Sequence, residues 1–160
     1  MTMHALPRTE SVRDMLLDML GRDVGVVPAD PWAPTPRDPG AVAVYTDDRS
    51  TLRALAACNL PLAAYLGASI ALIPPHTAHR CIEDRSLTES ITENLHEVLT
   101  IMSALFTMPG RPHLKLSGVQ APGELPAADV SVRLRAFGRR MDLTVDVGGY
   151  GEGRLSVVVV

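Results

Sequence analysis

The first apolar positions to recur at a fixed interval are Val12, Met15, Leu16, Met19 and Leu20. Their spacing is helical, Ser11 and Asp14 offer start signals, and Gly21 stands where a C-cap belongs, so a short amphipathic helix is predicted. Val24 to Val27 reads as a brief strand. Pro28, Pro31, Pro34, Pro36 and Pro39 then exclude regular structure, and residues 28–40 are expected to form a proline-rich surface loop with Trp32 packed down as its anchor. Ala41 to Thr46 is predicted as a strand, and Asp47, Asp48 and Ser50 as caps for a helix from about Thr51. From Arg53 to Arg80 no charged residue intervenes. Asn59, Pro61, Gly67 and Ser69 interrupt this run and alanine contributes little to membrane insertion, so two consecutive buried helices ending at Pro74 and Pro75 are expected instead of a span. Ala63, Gly67 and Ala71 form a small-residue stripe suited to close packing.

Ser86 and Glu89 have the spacing of a capping box, and the helix it announces is the longest in the sequence. Leu87, Ile91, Leu95, Val98, Met102 and Leu105 make its apolar stripe, with Glu89, Thr92, Glu93, His96, Thr100 and Ser103 opposite. Met108, Pro109 and Gly110 end it. His113 to Val119 is a candidate strand, followed by a turn-rich stretch from Ala121 to Pro126. Alternation then predicts a three-strand meander: Val130 to Ala136, Met141 to Val147 and Arg154 to Val160, with turns at Gly138 and at Gly148 to Gly153. No internal repeat is detectable.

Composition narrows the function classes. The chain has 160 residues, 46% hydrophobic and 21% charged, with a formal net charge of −3. That is one domain's worth of material, residues 1–160, and it gives no electrostatic case for nucleic acid. Two cysteines, Cys58 and Cys81, make no disulfide framework, and charged residues near the N-terminus stand where a signal peptide would be apolar. A cytoplasmic protein with neither cofactor nor membrane anchor is expected. His76, His79 and Cys81, with Glu83 beyond, are zinc-type ligands at a spacing that matches no common zinc pattern, so they form only a weak metal candidate and the expectation is no metal. The glycines at 148–153 lack the following helix that a phosphate cradle requires.

The long helix carries the chemistry. Glu97-Val-Leu-Thr100-Ile101-Met102-Ser103-Ala104 resembles the signature helix of the CheC/CheX/FliY family of chemotaxis phosphatases, in which Glu-x-x-Asn precedes two bulky apolar and two small residues. The order of predicted elements and the chain length are also similar to CheX. This resemblance implies a single α/β domain of α+β type, with helices packed on a mostly antiparallel sheet. It further implies a CheY-like receiver domain as partner, in a two-component signal-transduction system, with Glu97 contacting the receiver and the residue at position 100 orienting water against its aspartyl phosphate. Glu93, His96, Glu97 and Thr100 are then the partner-binding face, and Glu97 and Thr100 the catalytic positions.

Threonine at 100 departs from the family pattern. Its hydroxyl is shorter than a carboxamide and has one donor instead of two. Asn94 precedes Glu97 in the reverse order, and in the first helix Asp14 is followed three residues on by Leu17, so neither supplies a second motif. The expectation is a non-catalytic or degenerate phosphatase-like domain that binds a receiver, with a homodimer left open. The alternatives are an active aspartyl-phosphate phosphatase using Glu97 with Thr100 or His96, a metal-binding module, and an ordinary solvated helix face.

Overall fold

A computed structural model of the chain describes residues 4–160. These residues form a single α/β domain, with five helices on a six-stranded sheet whose pairings are all antiparallel. The first half contains α1 (Thr9–Leu20), β1 (Val24–Pro28), β2 (Gly40–Thr46), β3 (Leu52–Asn59), α2 (Leu60–Ser69) and α3 (Pro75–Asp84). The second contains α4 (Glu89–Met102), a 3-10 turn (Ser103–Phe106), β4 (Lys115–Gln120), α5 (Ala128–Arg135), β5 (Arg140–Val147) and β6 (Gly151–Val159).

Strand order across the sheet is β1-β5-β6-β3-β2-β4. With β4, β5 and β6 taken as the second half's counterparts of β1, β2 and β3, the order becomes first, second′, third′, third, second, first′. A helix followed by three strands therefore occurs twice, related by an approximate two-fold axis between β3 and β6, and each half gives its first strand to the other half's edge. The repeat is invisible in the sequence because its two halves share burial but not residue identity. Val12, Leu16 and Leu20 of α1 stand in the same register as Ile91, Leu95 and Leu99 of α4, and all six are buried.

Side chains alternate across the sheet, as the pleat requires. Ala41, Ala43, Tyr45, Ala54, Ala56, Cys58, Val145 and Val157 face a core built with α1, α2 and α4, and α3 packs outside α2. Val42, Leu55, Ala57 and Val158 face the other way, under α5 and the loop that carries Trp32. Between Asp142 and its neighbours lies a buried polar hub: the carboxylate accepts from Arg140 Nε at 2.8 Å, Ser156 Oγ at 2.6 Å and the Trp32 N–H at 3.1 Å. Burial pushes the Asp142 carboxyl upward, but these hydrogen bonds outweigh it and hold the group below the ordinary carboxylate range. Arg140 also donates to the carbonyls of Leu134, Ala136 and Trp32, which ties α5 and the proline-rich loop to β5.

Four local expectations are corrected. The segment from Thr51 begins a strand, because the Asp47 carboxylate accepts from the N–H groups of Arg49 and Thr51 and from Arg53 Nε, closing a hairpin turn in place of a helix cap. The alanine-rich run through Cys58 is therefore β3, a central strand buried on both faces, and Asn59 is the N-cap of α2 with Oδ1 accepting from Leu62 N at 3.1 Å. The cap of α4 is Thr88, not Ser86. Ser86 is consumed in ending α3, where Arg85 turns left-handed (φ 55°) and the Ser86 N–H reaches Cys81 O in a Schellman closure. Finally, Val130 to Ala136 is helix, so β5 and β6 form a hairpin and not the last two strands of a meander. Only Val130 and Leu134, four apart, are buried, whereas Val132 is 66% exposed. Asp129 near the start with Arg133 and Arg135 near the end suit the helix dipole.

Among the described residues no helix is long and apolar enough to cross a membrane.

Candidate functional site

Helix α4 is held rigidly from beneath. Ile91, Leu95, Val98, Leu99 and Met102 bury its inner stripe. Two side-chain bonds lock its position: the buried Tyr45 hydroxyl donates to Leu99 O at 2.6 Å, and Asn94 Nδ2 donates to Gly67 O at 2.9 Å. At Gly67 α2 and α4 come so close that an added Cβ would lie 2.4 Å from Ile91 O. Of the small-residue stripe, Ala63 and Gly67 are buried inside α2, while Ala71 is exposed beyond its end.

The outer face presents Glu93, His96, Glu97 and Thr100, all exposed. Thr100 Oγ1 donates back to His96 O within its own helix at 2.8 Å. Its hydroxyl proton is thus spent on the backbone, a common fate of threonine inside a helix. A carboxamide in reach of Glu97 would have to come from an asparagine or glutamine, and the sequence has only Asn59, Asn94 and Gln120. Asn59 caps α2 and accepts also from Arg154 N at 3.0 Å, Asn94 is bonded to Gly67 O, and Gln120 ends β4.

Glu97 stands at the rim of an open groove of about 490 Å³ between α4 and α1. Met15, Met19, Ile70 and Ile101 give it an apolar floor, and Asp18 faces it from the α1 side. The register that aligns Leu16 with Leu95 also aligns Asp18 with Glu97, so the two carboxylates are counterparts across the two-fold axis. Sequence reasoning placed Glu97 and missed Asp18, Met15 and Met19. The signal that finds them is the shared spacing of buried positions in α1 and α4, which has meaning only once the two helices are known to be paired.

His76, His79 and Cys81 are not brought together. His79 Nε2 lies 3.2 Å from Tyr150 O and its ring is edge-on to Tyr65, whereas Cys81 is buried in the core and His76 is exposed at the start of α3. Among the described residues no group of three or more His, Cys, Asp or Glu side chains is arranged to hold a metal ion.

No protein-family model matches the sequence, and no curated protein does. The fold, in contrast, is shared with solved structures. The FliM middle domain from Vibrio alginolyticus superposes with a TM-score of 0.58 at 12% identity, over 94% of this chain and 87% of that one. FliY from Thermotoga maritima gives 0.54 at 9% identity over 96% and 84%, respectively. A chain of the CheX-CheY-BeF3-Mg2+ complex from Borrelia burgdorferi gives 0.50 at 8% identity over 94% and 93%. The chain therefore has a CheC/CheX/FliY-like fold, which the FliM middle domain shares.

Proposed function

We propose that the outer face of α4, with the groove shared by α1, docks a CheY-like receiver domain and that the protein acts as a binding member of this fold, not as a phosphatase. The observation that carries the second part is the commitment of both asparagine carboxamides to internal bonds together with the inward-turned Thr100 hydroxyl. Nothing on the face of Glu97 is then free to orient an attacking water by a carboxamide, while the acid remains exposed for a partner. Support for the receiver as partner comes from the fold shared with a CheX-CheY complex and from the geometry of the face. Glu97 and Asp18 border an apolar floor and suit a partner surface that offers a basic side chain beside apolar ones.

The deciding experiment incubates the protein with receiver domains loaded from acetyl phosphate and follows complex formation and loss of aspartyl phosphate together. Binding that favours the phosphorylated receiver, with dephosphorylation no faster than in its absence, is expected. Rapid hydrolysis would put Thr100 or His96 in the role of water-orienting group and make the protein an enzyme. No binding to any receiver would leave α4 an ordinary solvated helix.

A further inference from the structure

On the opposite face of the sheet, α5 and the proline-rich loop enclose a second groove of about 340 Å³. That volume is within the roughly 300–1,000 Å³ typical of ligand sites. One wall is formed by Pro34 and Pro36, the other by Ser131, Leu134 and Arg135 of α5, with Leu125 at the mouth. By the two-fold relation both walls are the same structural device, since each connects the first strand of its half to the second.

Two features point to what the groove takes. Cations flank both walls: exposed Arg135 on α5, and exposed Arg37 and Arg85 beside the prolines, where Arg85 donates to the carbonyls of Pro36 and Arg37. None of the three belongs to an ion pair among the described residues. Glu124 is the one acidic residue lining the groove, and its carboxylate accepts from Ala121 N–H; the nearby Asp38 accepts from Trp32 Nε1, and Asp129 lies in the first turn of α5. The mouth also exposes a large apolar side chain, Leu125, at 86%. A small molecule inside the walls would leave it in water, whereas a chain crossing the groove would cover it.

We infer that this groove is a second docking site, for an extended segment of a partner protein in which acidic residues alternate with apolar ones. The apolar side chains enter between the prolines and Leu134, and the carboxylates meet arginines on either wall. The site is independent of the α4 face and lies across the sheet from it, so both partners have room to bind at once.

The test uses a fluorescein-labelled dodecapeptide of alternating Glu and Leu, titrated with the full chain and read by anisotropy, with backbone amide shifts to locate it. Saturable binding is expected, with shifts at residues 33–40 and 124–135. Arg135→Glu, at an exposed position, should weaken it by about tenfold or more, as reversal of a contacting charge does. Ser131→Trp should block it by filling the groove, and analogues with Lys for Glu or Ser for Leu should fail. Circular dichroism establishes that each variant is folded. The inference is overturned by absence of saturation, by undiminished binding to Arg135→Glu, or by shifts mapping elsewhere. It is equally overturned if the groove is occupied by a second copy of the chain, seen as a dimer that Ser131→Trp dissociates, or if vesicles of anionic phospholipid bind through these arginines while the peptide does not.

Discussion

Replacing Gly67 by alanine probes the attachment of α4, the helix proposed to bind a receiver, to the rest of the domain. Helix α2 approaches α4 so closely at this point that a Cβ on residue 67 would lie 2.4 Å from Ile91 O, 2.8 Å from Ile91 Cγ2 and 3.2 Å from Ile91 C. Carbon–oxygen contacts settle at roughly 3.3–3.6 Å, so the two helices must separate by about 1 Å. The obstacle is backbone, and no rotamer change relieves it. Intrinsic helix propensity favours alanine over glycine by about 1 kcal/mol, but overpacking typically costs about 1–3 kcal/mol and sometimes more. Separation also stretches the bond from Asn94 to Gly67 O, whose loss costs about 1 kcal/mol. The expected net is a destabilisation of about 1–3 kcal/mol, measured from the urea midpoint with unchanged slope. Because α4 carries Glu93, His96, Glu97 and Thr100, affinity for the receiver should fall as well. The control is Gly118→Ala, in β4 with no atom within 4 Å of the new Cβ, which should be neutral or mildly stabilising. If Gly67→Ala is as stable as the parent protein, the close approach of α2 and α4 is not as described, and the reasoning fails.

Other substitutions test the remaining links. Thr100→Asn should restore a carboxamide beside Glu97 and raise receiver dephosphorylation above background, while Glu97→Ala should weaken receiver binding and leave the urea midpoint within a few tenths of a kcal/mol, as exposed positions do; unchanged binding would remove Glu97 from the interface. Tyr45→Phe should cost about 1–2 kcal/mol in the same urea assay, since Leu99 O loses a buried donor. Asp142→Ala leaves the Arg140 guanidinium, whose side chain is 8% exposed, without its counter-ion and should cost about 3–5 kcal/mol. In acid, stability should fall as pH drops from about 4, where unfolded carboxylates protonate, towards the folded-state value of the Asp47 carboxyl. The N–H of Thr51 and the Arg53 side chain hold that carboxyl at about 2, and Asp142 is lowered too, so both favour the folded state only while ionised. Urea midpoints measured from pH 7 to pH 2 should trace this loss, and Asp47→Asn should reduce it.

What the sequence determined by itself is what local rules control. The period of Val12, Leu16 and Leu20 set α1, Gly21 ended it in a left-handed cap, and the stripe through Ile91, Leu95, Val98 and Met102 fixed which side of α4 is buried. Those positions also placed Glu93, His96, Glu97 and Thr100 together on the outer face, because angular position on a helix follows from residue number. Local rules failed where a segment satisfied two of them. Alanine is the best helix former, yet Ala54, Ala56 and Ala57 lie in a central strand because small side chains on both faces let α2 and the neighbouring strands close over it. Val130, Val132 and Leu134 alternate like a strand, but Val130 and Leu134 are also four apart, and that helical spacing is the one the fold buries. The two-fold relation between the halves, the pairing of Asp18 with Glu97, and the groove between α5 and the prolines were decided only by tertiary structure. Each depends on residues far apart in the chain, and no local periodicity carries information about which distant segment will fill the neighbouring position.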